Sequence, residues 1–327
     1  MALGTNNIVV SAVPNFVPEL WSDEVIAAYK ANIVVAQLCR KLNFRGKKGG
    51  SILIPTPTRG QASTKAASTQ VTLIAHGADA GLTVQINKHK EYSRFIEDIV
   101  DVQAIASLRR FYTDDGGYAI AKRVDRDLIL QCATSGLTGG TIVENANGNI
   151  DSTSTFTNAR IGDDSAAWAS AGAGNDVDLS DLGIRRFVKR LDSVDAPMAG
   201  RFLLVSPNVK ADLMGQARFT EHAFTGEAAS SNTIRNGLVG DTYAVNVYVT
   251  NQLAQVGDGN GTFAHDLLLM FQRDGLLLVE QMGVRTQTQY KQEWLADLFT
   301  ADMIYATAGL RGTSIIPIVA PASFTDG

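Results

Sequence analysis

The sequence predicts an α+β protein organised around one long helix. Four stretches carry that expectation: a helical run at Arg94–Gly136, two extended segments at Ser51–Thr58 and Leu82–Tyr92, and a β-rich end from Val284 to Ala320. The chain's 327 residues suit about two domains. With 45% hydrophobic and 19% charged residues, the composition is that of a folded, soluble protein. A net charge of −4 gives no electrostatic case for wrapping DNA or an anionic membrane.

In the long run, Ile96, Ile99, Val100, Phe111, Tyr118, Ala121, Leu128, Ile129 and Cys132 fall in a band of roughly 120° at ~100° per residue. Gln103, Ser107, Arg110, Asp114 and Asp125 interrupt it. At ~1.5 Å per residue the band from Ile96 to Cys132 spans on the order of 55 Å, longer than a compact domain needs. It lacks the heptads of a coiled coil. Gly116 and Gly117 sit mid-run, each costing about 1 kcal/mol relative to Ala. A bend, a hinge or a close neighbour is therefore expected at that point.

Taken in order, residues 1–20 read as extended and broken by Pro14 and Pro18. From an N-cap at Ser22 a helix is expected to about Leu42, with Val25, Ile26, Tyr29, Ile33 and Ala36 as its stripe. Arg45–Gly50 is a basic, Gly-rich solvated turn. Pro55 and Pro57 confine Ser51–Thr58 to an edge strand or an unpaired ribbon. Leu82, Val84 and Ile86 alternate with Thr83, Gln85 and Asn87. Residues 59–81 are small and polar except Val71, Leu73 and Ile74, so they read as a finger projecting from the body. A lone two-stranded ribbon is marginal in water, and a neighbouring copy is the expected support. Arg59, Lys65, Lys88, His89 and Lys90 decorate this finger, either pairing across copies or guarding an exposed edge.

After the helix, residues 137–177 are rich in Gly, Ser, Thr, Asn and Asp, with strand-like pieces around Thr141–Val143 and Ser154–Thr157. Asp178–Asp192 reads as a helix capped by Ser180 or Asp178, with Leu182, Phe187, Val188 and Leu191 inward. Arg201–Val205 is a short buried strand, and Ser206-Pro207 opens a further helix. Gln216–Arg235 is a polar loop. Gly237–Thr250, Asp266–Phe271 and Leu276–Glu280 are β-prone and form a second core, with a turn at Gly257–Gly261. Val284–Lys291, Leu298–Ala308 and Thr313–Ala320 read as one terminal sheet, although Leu295, Leu298, Phe299 and Met303 also fit a helical face.

No chemistry-bearing constellation emerges. His76, His89, His222 and His265 stand apart from any ligand-spaced partner, and the phosphate-loop, dinucleotide, nucleophile-elbow and zinc-protease motifs are missing. The acidic run Asn175–Asp181 lacks the Gly and terminal Glu of a calcium loop and precedes a helix, where acids suit the dipole. Asp125 and Asp127, among Lys122, Arg123 and Arg126, read as an ion-paired solvated or interface face. Cys39 and Cys132, in predicted helices, read as buried thiols of a reducing compartment. No catalytic residue, cofactor or metal is expected. The start of the chain reads as no signal peptide, and no apolar run approaches the ~20 residues of a membrane span.

The order of arm, finger, long helix, compact body and terminal sheet resembles the Hong Kong 97-type major capsid protein of tailed bacteriophages. It looks closest to the short-tailed (podovirus-like) marine and cyanophage branch. The wording that carries this is PNFVPELWSDEVIAAYKAN (14–32), KLNFRGKKGGSILIPTPTRG (41–60), KEYSRFIEDIVDVQAIASLRRFYTDDGGYAIAKRVDRDL (90–128), RFLLVSPNVKADLM (201–214) and GLRGTSIIPIVA (309–320). The resemblance implies an N-terminal arm (1–47) and an E-loop (48–92) lying over an adjacent subunit. It further implies a peripheral (P) domain (93–177) with a spine helix at about 95–135, an axial (A) domain (178–280), and a P-domain sheet with the C-terminus (281–327).

It also implies pentamers and hexamers of an icosahedral head around double-stranded DNA held as non-specific content. Such shells begin as a precursor that expands with tilting of subunits. A portal protein and a separate scaffolding protein are the implied partners, since residues 1–47 leave no room for a fused scaffold; a decoration protein is an option. No membrane, cofactor or enzymatic activity is implied, and the location is the virion after assembly in the host cytoplasm. Arg59, Lys65, Lys88 and Lys90 are the candidate intersubunit contacts, and Gly116 and Gly117 the candidate hinge of the spine helix. Some relatives cross-link through an E-loop Lys; Lys65 lies in that segment but has no matched Asn and acid, so that chemistry is not carried over. Two other readings stay open: an encapsulin-like nanocompartment shell and an α/β enzyme with an atypical site.

Overall fold

The computed structural model describes residues 33–56, 62–71, 80–98, 108–144, 150, 154, 156, 158–168, 177–216, 241–256 and 265–322. The expected cap at Ser22, most of the stripe that follows it, the turn at 257–261 and His76, His222 and Arg59 lie outside them. The chain opens with a short helix α1 (Val35–Leu38) and strands β1 (Arg40–Asn43), β2 (Ser51–Thr56), β3 (Ala80–Gln85) and β4 (Lys88–Glu97). The long helix α2 (Leu108–Gly136) follows. Its 29 residues span ~43 Å. Ile120, Val124, Leu128 and Cys132 recur at every fourth position, with Ile129 and Ala133 beside them, and all are buried.

One face of α2 lies on a four-stranded sheet of order β1–β11–β12–β4, where β11 is Leu276–Lys291 and β12 is Ala296–Gly309. β1 runs parallel to β11, and the other pairs are antiparallel. Register shifts between Glu280 and Met282 and between Met282 and Arg285 mark bulges that twist the long β11–β12 pair.

The other end of α2 packs on a seven-stranded sheet of order β5–β13–β10–β6–β8–β7, with β9 also on β10. Its strands are β5 (Arg160–Ile161), β6 (Arg201–Val205), β7 (Asp241–Thr242), β8 (Val245–Val249), β9 (Gln255–Val256), β10 (His265–Gln272) and β13 (Ile315–Pro321). β6 and β10 are buried throughout, so the apolar run RFLLV fits a strand covered on both faces. Helix α3 (Asp181–Ser193) is capped by Ser180, whose Oγ accepts from Gly183 N at 3.1 Å. Helix α4 (Pro207–Gly215) is capped by Ser206 with Pro207 in its first turn. Each cap contributes about 1 kcal/mol.

The structure corrects several expectations. The first helix ends at Leu38, not near Leu42, because Cys39 is extended (φ −83°, ψ 165°) and Arg40–Asn43 pair with Leu277–Glu280. Cys39 therefore caps a helix end and is not inside one. Arg94–Glu97 are not helical; they complete β4, whose ladder to β12 runs from Lys88↔Tyr305 to Glu97↔Ala296. The spine helix thus starts later than residue 95 among the described residues. Leu82–Tyr92 is broken into β3 and β4, which join different sheets. β2 and β3 do pair as a ribbon, but its inner side chains Ile52, Ile54, Leu82 and Ile86 pack with Leu42, Phe44, Leu277 and Val279 of the same chain. The ribbon's base needs no neighbouring copy.

In the terminal region, β11 and β12 pair as expected, whereas Ile315–Ala320 leave them and join β10 in the larger sheet. In α3, Leu182 is exposed and Ile184 takes the buried place expected of it. Around Thr141–Val143 the chain makes bridges in place of strands, with Val143 N donating to Ser154 Oγ at 2.9 Å.

Candidate assembly surfaces

The polar turn of α2 at Arg123–Asp127 is where separate parts of the chain converge. Asp125 is fully buried and accepts from Val34 N (3.2 Å) and Ala36 N (2.8 Å). It caps α1, which has no side-chain cap of its own. Burial pushes the Asp125 carboxyl up, and the backbone N–H bonds pull it back part of the way. Asp127, also buried, accepts from Tyr305 Oη at 2.7 Å and lies 3.4 Å from Lys88 Nζ and 3.2 Å from Arg123 Nε. Burial lowers the Lys88 ammonium and Asp127 opposes that, while burial and Asp127 together hold the Tyr305 phenol well above its usual range. Arg123 and Arg126 both reach Glu144 at 3.2 Å, and Arg126 donates to Gln252 O at 2.7 Å. The solvated reading of Asp125 and Asp127 is therefore overturned: both carboxylates are enclosed and partnered.

The face of the four-stranded sheet opposite α2 carries Asp302 between Arg285 and His89. Arg285 donates to both its oxygens (3.1 and 2.9 Å), and His89 Nε2 lies 3.1 Å from Oδ2. The Arg285 bond holds the Asp302 carboxyl below the usual carboxylate range, against the effect of burial. At the sheet's far end Phe95 and Trp294 stack at 6.1 Å with 56% and 67% of their surfaces exposed, beside the equally open Leu295. The Asp98 carboxylate, accepting from Tyr290 Oη at 2.7 Å, and Asp98 N, donating to Leu295 O at 3.2 Å, tie that end together. Open aromatic surface of this kind marks a contact region more often than a solvent face.

The candidate residues do not gather in one place. Lys65 is exposed on segment 62–71. Lys88, His89 and Lys90 belong to β4 of the four-stranded sheet and do not decorate the finger; Lys88 is committed to Asp127 within the chain. Gly116 and Gly117 lie inside a continuous helix. A Cβ at Gly116 would meet Tyr92 Cδ1 at 2.8 Å and Phe299 Cε1 at 3.3 Å, whereas one at Gly117 meets nothing within 4 Å. Tyr92 cannot easily retreat: it packs edge-on to Phe299 (centroids 6.5 Å apart) and donates to Asp115 Oδ2 at 2.9 Å. Close approach accounts for the first glycine and not the second. The Lys88–Asp127–Tyr305 linkage has no local signal in the sequence, because it depends on Lys88 and Tyr305 being register partners in β4 and β12.

Among the described residues, no three His, Cys, Asp or Glu side chains converge in a way that would hold a metal ion, and no helix is long and apolar enough to cross a membrane. No sequence family and no curated protein matches the chain. Solved structures do. A chain of Mycobacterium phage Che8 superposes with a TM-score of 0.70 at 22% identity, covering 93% of this chain and 97% of that one. The capsid structure of cyanophage P-SCSP1u matches with a TM-score of 0.71 at 18% identity over 98% and 97% of the two chains. The capsid of cyanophage Pam1 matches with a TM-score of 0.71 at 11% identity over 99% and 100%. The chain has the Hong Kong 97-type capsid fold. Because the P-SCSP1u match covers 98% of the chain, the ribbon, the long helix and both sheets belong to this capsid fold together, and none is an appended domain.

Proposed function

We propose that this chain is the major capsid protein of a tailed double-stranded DNA bacteriophage, self-assembling into pentamers and hexamers of an icosahedral head. The observation that carries the reading is the near end-to-end equivalence with the P-SCSP1u capsid subunit, TM-score 0.71 over 98% of this chain. The open Phe95–Trp294–Leu295 cluster supports it, as a tile in a closed shell must offer several different surfaces to its copies. A net charge of −4 suits a container wall that does not grip its DNA by counterion release.

In this reading residues 1–47 form the arm, 48–92 the E-loop and its return, 93–177 and 281–327 the peripheral domain with its spine helix, and 178–280 the axial domain. Ile315–Pro321 cross back into the axial sheet. The role is structural, the place is the virion shell after assembly in the host cytoplasm, and scaffolding and portal proteins are the partners. Electron microscopy of the expressed chain, alone and with its scaffolding partner, is the test. Curved shells or capsomers are expected, and DNA as content separates a phage head from a nanocompartment holding an enzyme. A monodisperse monomer at every concentration and salt tried would sink the proposal.

A further inference from the structure

We infer that the root of the N-terminal segment and the root of the ribbon form one mechanical unit, clamped to the long helix at Asp125 and Asp127, so that releasing either clamp loosens both. The inference stands on contacts within one chain and does not depend on the shell reading.

The two carboxylates are two residues apart, about 200° of helical rotation, and so project to opposite flanks of the buried stripe through Val124 and Leu128. On one flank Asp125 holds the backbone N–H groups of Val34 and Ala36, at the point where the chain from residues 1–32 joins the body. On the other flank Asp127 holds Lys88, three residues after β3, as the ribbon returns to the body.

These flanks are connected on the far side as well. From α1 the chain runs directly into β1, and Leu42 and Phe44 pack against the same apolar cluster, around Val84, Leu277 and Val279, as the ribbon's Ile52 and Leu82. Backbone bonds close the same junction: Phe44 N donates to Glu280 O at 2.8 Å, and Ile86 N donates to Gly50 O at 2.8 Å. The ribbon then leads into β4 at Lys88 and back to the helix. Asp125, α1, β1, the shared apolar cluster, the ribbon, Lys88 and Asp127 thus form a closed circuit through packed and hydrogen-bonded groups. In such a circuit a broken clamp should loosen the whole path and not only its own segment.

Amide hydrogen exchange on the full chain tests this, comparing wild type with Asp125→Ala, Lys88→Met and the double variant. Asp125→Ala is expected to speed exchange about tenfold or more at 34–44 and, by a similar factor, in the ribbon at 51–56 and 80–86. Lys88→Met is expected to do the same in reverse, reaching 34–44 from the ribbon side. The double variant should exchange no faster than the faster single, because one release already opens the unit. The proposal is overturned if each variant affects only its own segment, if the two effects multiply, or if β10 amides speed up equally, which would mean a global loss of stability. Should Asp125→Ala fail to fold, Asp125→Asn, which keeps one acceptor oxygen, takes its place beside Lys88→Met. The same amides are then followed, and the same patterns support or overturn the unit.

Discussion

β10 and the outer half of β11 are both strands of this one chain, yet they are treated oppositely. Every residue of β10 from His265 to Gln272 is buried, with β13 on one edge and β6 and β9 on the other. β11 begins the same way, burying Leu276–Val279, and then exposes every residue from Val284 to Tyr290. The change follows its neighbours: β1 covers its edge only at Leu277–Glu280, and among the described residues no strand takes over beyond that point. The chain completes its core at one end and stops short at the other, where Phe95, Trp294 and Leu295 stand open. A fold that self-sufficiently buries one sheet and leaves another half-covered is built for stability in the first place and for contact in the second.

Truncating a large aromatic in each region separates the two roles most strongly. Phe271→Ala, in β10 against Phe202, should cost roughly 3–5 kcal/mol in denaturant unfolding, as aromatic cavities in closed cores usually do. Trp294→Ala should change subunit stability by no more than about 0.5 kcal/mol, since its ring is already in water. Assembly assays on the same protein should reverse the ranking, with Trp294→Ala folding normally and assembling poorly. A loss above about 2 kcal/mol for Trp294→Ala would show that the open end is part of the subunit's own core.

A second contrast lies within one helix. Gly116→Ala must push its methyl against a Tyr92 ring held by Phe299 and Asp115, so a net destabilisation of about 1–2 kcal/mol is expected after the helix-propensity gain. Gly117→Ala, facing open space, should stabilise by about 1 kcal/mol. Thermal melts of the two variants decide between a packing glycine and a flexible pair. If both stabilise, Tyr92 yields more readily than its contacts imply. If Gly117→Ala stabilises the subunit but blocks shell expansion, the second glycine is kept for motion and not for space.

Much of this is legible in the residues. The caps Ser180 and Ser206 and the buried run RFLLV follow from local chemistry and period, whereas the period of β12 fits a helical face as well as a strand. The phase of the long helix does not. A single helical period carried back to Arg94 drifts, because Arg94–Glu97 are a strand; it selects Tyr118 and Ala121 where Ile120 and Val124 are the buried positions. Register and crossover are equally hidden: nothing local in TSIIPIVA says that it pairs with β10 instead of β12. Buried polar partners such as Asp127, Lys88 and Tyr305 depend on both, and so mixed charges on a helix pass for a solvated face.

The smallest expected effects are in pH dependence, and they too follow how each carboxylate is covered. Asp302, on the half-covered sheet, has Arg285 and His89 as partners and is held low. Its contribution is present above the ordinary carboxylate range and lost as pH falls through its depressed value, so Asp302→Asn should blunt the acid limb of unfolding below about pH 4. Asp212, in α4 beside the larger sheet, is pushed up to about 6, first by burial and then by the Asp178 charge. Here the sign is opposite: the folded state binds the proton more tightly than the unfolded chain, so the contribution of Asp212 is greatest below about pH 4 and is lost as pH rises through 6. Asp212→Asn, neutral at every pH, should therefore be the more stable protein at pH 8. The gain is on the order of 1 kcal/mol once solvent screening of a half-buried group is allowed for. The difference should close to nothing by about pH 4. Melting both proteins between about pH 4 and pH 8 reads the effect directly, and a gap that does not narrow with acid would mean that the substitution acts through packing and not through charge.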